Sequence, residues 1–148
     1  MAANLPDYPA RVTTYTLRSA SPAKTRSDAV VVGVVQSAKG PVLADGGEDV
    51  AEAYGRKLRP LLSSLGVTGK AGEVVKLPTG GTISSGLLVL VGIGKEPTTH
   101  AVRKAAGVAA RGVTNAASVA LALPGDSPEL VRAVIEGYQL GSYAFTTY

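Results

Sequence analysis

The chain has 148 residues, 45% of them hydrophobic, and a formal net charge of +4, which fits one domain with its own core. It has no cysteine, so disulfides and thiolate metal sites are excluded, and it shows neither a signal peptide nor an apolar run of membrane-spanning length. We therefore expect a cytoplasmic protein without a membrane partner, and because its Lys and Arg residues are scattered, we do not expect nucleic acid as its main partner.

The first part of the chain predicts strands. β-Branched residues at positions 11–17 (RVTTYTL) predict one strand. A continuous apolar run over residues 29–35 predicts a second strand, covered on both faces because its pattern does not alternate. The stretch that follows, KGPVLADGG, contains two turn signals and room for a short strand.

Residues 45–65 predict an amphipathic helix, because apolar residues recur there at spacings of three and four. Gly66 follows the last apolar position and is expected to end the helix. Pro60 conflicts with a continuous helix, since proline removes one backbone hydrogen bond and clashes with the preceding turn. We therefore expect a kink, or a break into two helices, at Pro60.

The middle of the chain predicts two strands followed by a helix. Residues 73–77 and the apolar run at 87–94 (LLVLVGIG) predict the strands, the second of them deeply buried. The helix is expected to be capped by Thr98 or Thr99 and to end at Asn115. Its apolar positions form a narrow face that can lie close to a sheet: Val102, Ala105, Ala106, Ala109 and Val113.

The last elements are a strand within SVALALP and a helix that begins at Ser127, with Pro128 in its first helical position. The apolar stripe of this helix consists of Leu130, Val131, Val134, Ile135 and Tyr138. The alternation of strands and helices predicts an α/β fold with a mostly parallel or mixed sheet.

VGIGK, at residues 91–95, lies between a predicted strand and a predicted helix, which is the setting of a phosphate-binding glycine loop. Pro97 stands where the third glycine of that motif would be, and no acidic residue follows at the distance of a ribose contact. The alternative is that Gly92 and Gly94 let the strand turn tightly into the helix. We favour this structural interpretation.

Two further groups of residues are candidates for binding a metal. His100, the only histidine, has no carboxylate pair or nucleophile beside it. The one cluster of carboxylates could bind a hard cation, but it also complements a helix N-terminus, which is the interpretation we favour. This cluster consists of Asp45, Glu48, Asp49 and Glu52. The sequence therefore predicts no catalytic, cofactor-binding or metal-binding residue in this chain.

Three stretches together resemble successive blocks of one family: TGKAGEVVKLPT (68–79), LLVLVGIGK (87–95) and IEGYQLGSYAFTTY (135–148). They are similar to the N-terminal domain of the leucyl, or cytosol, aminopeptidases of peptidase family M17. The last block is the most specific, because it follows an EGxxLGxYxFxxY pattern in order. The matching residues are Glu136, Gly137, Leu140, Gly141, Tyr143, Phe145 and Tyr148.

The resemblance implies a macro-domain-like α/β fold, in which helices flank a mixed sheet. It also implies a macro-like domain at residues 1–127, and at residues 128–148 a C-terminal helix that starts the linker to a catalytic domain outside this sequence. The chain itself would be non-catalytic and would serve structure and the assembly of a homo-hexamer. The full-length parent would remove N-terminal amino acids from peptides with two divalent cations, manganese or zinc.

The metal ligands of that family lie in and around an Asn-Thr-Asp-Ala-Glu-Gly-Arg stretch, which this sequence lacks. No cofactor, metal ligand or catalytic residue is therefore carried over to this chain. Two other functions stay open. One is a stand-alone macro-like module that binds ADP-ribose or a nucleotide through VGIGK. The other is an accessory role in DNA binding, which some bacterial members of the family have and which the positive charge supports weakly.

Overall fold

The computed structural model describes Tyr15, residues 21–113 and residues 116–146, the last four of these without their side chains. In chain order the elements are β1 (Ala29–Ser37), β2 (Gly40–Leu43), α1 (Glu48–Tyr54), α2 (Leu58–Leu65), β3 (Val74–Pro78), β4 (Leu87–Gly94), α3 (Thr99–Gly112), β5 (Val119–Ala122) and α4 (Pro128–Thr146). Apart from Tyr15, the strand predicted at residues 11–17 lies outside the described residues, as does Asn115. The other predicted elements are present, and β4 has the predicted bounds.

β1 is the centre of a mixed sheet that has five strands within the described residues. β4 runs parallel to β1 along one edge. The other edge is shared, because β5 runs parallel to the first half of β1 and β2 runs antiparallel to its second half. β3 pairs antiparallel with the outer edge of β4. The expected α/β structure with a mixed sheet and flanking helices is confirmed.

Helices cover both faces of the sheet, as the apolar runs of β1 and β4 predict. Successive residues of a strand point to opposite faces. Toward α3 and α4 lie Ala29, Val31, Val89, Val91 and Ile93. Toward α1 and α2 lie Val30, Val32, Val34, Leu88 and Leu90. All ten are at most 2% exposed, so the two central strands anchor both halves of the core.

The predicted break in the first helical region exists, but its predicted place at Pro60 is wrong. α1 ends before Gly55, whose φ of 58° and ψ of −133° are accessible mainly to glycine. A short 3-10 turn over Gly55–Lys57 then leads into α2. Pro60 is the third residue of α2, where a missing N–H is tolerated because the first N–H groups of a helix have no partner within it. The predicted stop at Gly66 is confirmed by its left-handed conformation.

The predicted helix caps are confirmed. Thr98 Oγ1 accepts a hydrogen bond of 3.1 Å from the N–H of Ala101 at the start of α3. Ser127 Oγ accepts one of 3.2 Å from the N–H of Leu130 at the start of α4. The predicted small-residue face of α3 is buried against the sheet. Among the described residues, none of the helices combines the length and apolar character that crossing a bilayer requires.

Candidate functional site

The glycines of VGIGK are covered by the loop at residues 68–73. The N–H of Gly92 donates to the carbonyl of Glu73 at 2.7 Å, and the N–H of Gly94 donates to the carbonyl of Gly69 at 2.8 Å. A Cβ atom at Gly92 would overlap the carbonyl oxygen of Lys70. Both glycine N–H groups therefore have protein partners already, which argues against a phosphate-binding role and supports the structural interpretation.

The loop that covers Gly92 is held in shape by the carboxylate of Glu73. This carboxylate accepts hydrogen bonds from the N–H of Thr68 at 3.0 Å and the N–H of Gly69 at 2.8 Å, and one of 3.1 Å from the Thr68 hydroxyl. Gly69 lies against the backbone of β1, close to Val35. The first two of the three family-like blocks thus form one packed unit, in which the acidic residue closes a loop.

The glycines of the third block lie where α4 crosses α3. Cβ atoms at Gly137 and Gly141 would overlap the carbonyl oxygens of Arg103 and Gly107 of α3. The absence of side chains therefore lets the two helix backbones approach closely. This contact fixes α4 on the same face of the sheet as α3.

Charged and aromatic residues of α4 make further contacts, one with α3 and one with Tyr15. Glu136 forms ion pairs with Arg103 of α3 at 3.4 Å and with Arg132 of α4 at 3.6 Å. The ring of Tyr138 meets that of Tyr15 edge to face, with centroids 6.5 Å apart. Leu140 is 62% exposed. The side chains of the other matching residues of this block lie outside the described part of the chain: Tyr143, Phe145 and Tyr148.

Burial raises the pKa of all three tyrosines whose side chains are described. For Tyr138 the cause is loss of solvent, and the neighbouring Tyr15 adds a smaller upward contribution. Loss of solvent also raises the pKa of Tyr15. It raises that of Tyr54, with an opposing contribution from the Thr82 hydroxyl, although no bond to the Tyr54 hydroxyl meets hydrogen-bond geometry. In all three tyrosines the loss of solvent on burial is the largest cause of the raised pKa.

The other candidates do not assemble into a metal site. His100 is exposed in the first turn of α3. Of the predicted carboxylate cluster, Glu48 accepts a hydrogen bond of 2.9 Å from the N–H of Gly46, beside the start of α1. Within residues 21–113 and 116–146, no three His, Asp or Glu side chains lie close enough together to hold a metal ion. The described residues therefore do not fit a dinuclear metal centre.

A groove of about 690 Å³ lies along the N-terminal half of α4, and the sequence did not predict it. It is lined by the loop at 125–127 and by α4 from Pro128 to Glu136. Val131 and Ile135, which belong to the predicted apolar stripe of α4, are only partly buried and line this groove. A smaller concavity of about 300 Å³ lies between the β1–β2 turn and α2.

The family model and the related proteins that match this chain indicate the same family. The family model described as the cytosol aminopeptidase family, N-terminal domain, matches residues 31–148. A probable cytosol aminopeptidase of Streptomyces griseus is 45% identical over 143 residues, which cover 93% of this chain and 28% of that protein. One from Streptomyces coelicolor is 40% identical over 143 residues, with the same coverage. One from Micrococcus luteus is 40% identical over 125 residues, which cover 81% of this chain and 24% of that protein.

Proposed function

The chain belongs to the cytosol aminopeptidase family, whose N-terminal domain it matches, and from this we propose that it is the non-catalytic N-terminal domain of a longer aminopeptidase. One observation gives the main support for this proposal. The chain spans only 28% of the length of the Streptomyces relatives, although 93% of the chain itself is aligned with them. The remainder of such a protein would carry the catalytic residues.

The contacts within the chain support a structural role. All three family-like blocks contribute to packing. The 68–73 loop is closed by Glu73 over Gly92, and the glycines of α4 allow close contact with α3. In such a domain α4 would begin the connection to the catalytic polypeptide, and residues 1–127 would form the macro-like body.

The finer features of the parent are part of the same proposal. It would act in the cytoplasm as a homo-hexamer and would remove N-terminal amino acids from peptides. Two divalent cations, manganese or zinc, would supply the chemistry of water activation when bound in the catalytic domain. We assign none of the described residues of this chain as a ligand of these cations.

An activity comparison tests the proposal. The 148-residue chain and the longer protein of which we propose it to be the N-terminal domain are each incubated with leucyl p-nitroanilide and Mn²⁺. We expect release of nitroaniline by the longer protein and none above background by the chain alone. Turnover by the chain alone would contradict the non-catalytic role, and an inactive longer protein would contradict the assignment of a parent peptidase.

The alternative of a stand-alone module for ADP-ribose or a nucleotide has a weaker basis. Its proposed phosphate contacts were the backbone N–H groups of VGIGK, and those of Gly92 and Gly94 already donate to protein carbonyls. Calorimetry with ADP-ribose separates the two functions, because saturable binding by the chain would favour the module. No specific contact in the described residues favours the accessory role in DNA binding.

A further inference from the structure

The two long sides of α4 have different surroundings. On the inner side, Ala133, Gly137 and Gly141 are buried against the rest of the domain. On the groove side, Val131 and Ile135 are only partly buried, although branched aliphatic side chains are among the most frequently buried types. They lie four residues apart, so they are neighbours on one side of the helix.

The margins of the groove carry charges of both signs. The side chains of Arg132 and Glu136, which are 78% and 46% exposed, form an ion pair on α4. Asp126 contributes a further carboxylate from the loop before the helix. An apolar centre with a mixed polar margin is the usual composition of a protein–protein contact surface.

We propose that this groove is the docking surface for the catalytic polypeptide that follows the chain in the longer protein, an inference that rests on the proposed function. The relatives continue for more than twice the length that this chain covers, and the matching family domain is N-terminal. α4 is the last described element. Thr146 lies eleven positions after Ile135 on the same helix, a distance of about 16 Å at 1.5 Å per residue. The polypeptide that follows can therefore fold back on the groove.

Thiol labelling can test this inference without background from the chain, because the chain has no cysteine. Arg132→Cys and Ile135→Cys are prepared in both the 148-residue chain and the longer protein. The control is Ser64→Cys, an exposed position of α2 on the opposite face of the sheet. Maleimide labelling followed by peptide mass spectrometry measures the rate at each site, whatever cysteines the longer protein has elsewhere.

We expect labelling at both α4 sites to slow by about tenfold or more in the longer protein, because reaction then requires local opening of the interface. Labelling of Ser64→Cys should not change. Arg132 is largely exposed, so Arg132→Cys keeps the test decisive if Ile135→Cys fails to fold. Equal rates in the two proteins at the α4 sites would overturn the inference.

Other occupants of the groove give different results. Slow α4 labelling already in the 148-residue chain would also overturn the inference. If that protection grew with protein concentration, a second copy would be the occupant, and if it did not, the chain's own first residues would be. Aminopeptidase activity is measured on the same samples of longer protein. Activity with an unprotected groove rejects the docking surface alone, whereas a protected groove without activity rejects the proposed function alone.

Discussion

Gly92 lies where β4 contacts a loop that is distant from it in sequence. β4 passes beneath the 68–73 loop at this residue, where a Cβ atom would overlap the carbonyl oxygen of Lys70. The N–H of Gly92 also donates to the carbonyl of Glu73 at 2.7 Å. Because both partners are backbone groups, a larger side chain would have to displace the loop or the strand.

Replacing Gly92 with alanine therefore tests whether this close approach stabilises the fold. We expect Gly92→Ala to lower the free energy of unfolding by about 1–3 kcal/mol, the usual range for overpacking, as measured by urea denaturation. The control is Gly86→Ala, just before β4, where a Cβ atom would meet no heavy atom within 4 Å. Its effect should stay within about 1 kcal/mol. Equal stability of the two variants would show that the loop does not press on β4.

Tyr138 gives a prediction about alkaline pH. Burial raises its pKa above the ordinary value of 10.0, so the unfolded chain loses this proton first as the pH rises. The stability that neutral Tyr138 contributes is complete below pH 10 and is lost above it. We expect the free energy of unfolding to fall more between about pH 8 and about pH 11 in the wild type than in Tyr138→Phe, as measured by urea titrations. Parallel losses in the two proteins would contradict this account.

At the scale of elements, α3 and α4 approach closely because glycines line their contact. Gly137 and Gly141 lie one helical turn apart and face the backbone of α3 at Arg103 and Gly107. Glycine is a weak helix former, less favourable than alanine by about 1 kcal/mol. The use of two glycines in the middle of α4 is therefore explained by the close contact and not by helix propensity.

Gly137→Ala separates these two effects. We expect a net loss of about 1–3 kcal/mol in unfolding free energy, because overlap with the carbonyl of Arg103 outweighs the gain in helix propensity. Gly112→Ala, at the end of α3, is the matched control, since its Cβ atom would meet only a Val74 methyl group at 3.7 Å. That variant should be as stable as the wild type or slightly more stable. A Gly137→Ala protein more stable than the wild type would rule out close packing at this site.

The elements differ in how far the sequence predicts them. The bounds of β4 could be predicted because a continuous apolar run is followed by glycines and a helix cap. The break between α1 and α2 was misplaced because the rule for proline is strict only inside a helix, and Pro60 lies in the first turn of α2. Gly55 supplies the break through its backbone conformation, which a single glycine in a sequence does not reveal.

The candidate site was predictable only in part, because its contacts join distant residues. The sequence indicated the family-like blocks but not that Lys70 covers Gly92, a contact that depends on the path of the loop between them. It also placed Val131 and Ile135 on the apolar stripe of the last helix, but periodicity does not show how much of such a stripe the rest of the domain covers. The predictions that the chain ends in a linker helix and lacks catalytic residues stay predictions.

At the scale of the whole molecule, the sheet sets a gradient of stability. β1 is bonded along both edges and β4 lies between β1 and β3, and both strands are covered on their two faces. β3 has one strand partner within the described residues, and its Val74 is 39% exposed. Amides in doubly bonded, buried strands exchange only when the whole domain unfolds, whereas edge strands open locally.

Hydrogen exchange of the chain, read by mass spectrometry, tests this gradient. We expect peptides from β1 and β4 to exchange slowest and at a common rate, since only global unfolding exposes them. Peptides from β3 should exchange at least about tenfold faster through local opening at the edge. Because β1 and β4 join the two halves of the core, the exchange rates of both strands should rise together as added urea lowers the free energy of unfolding. Protection of β3 equal to that of β4 would show that a further segment covers this edge.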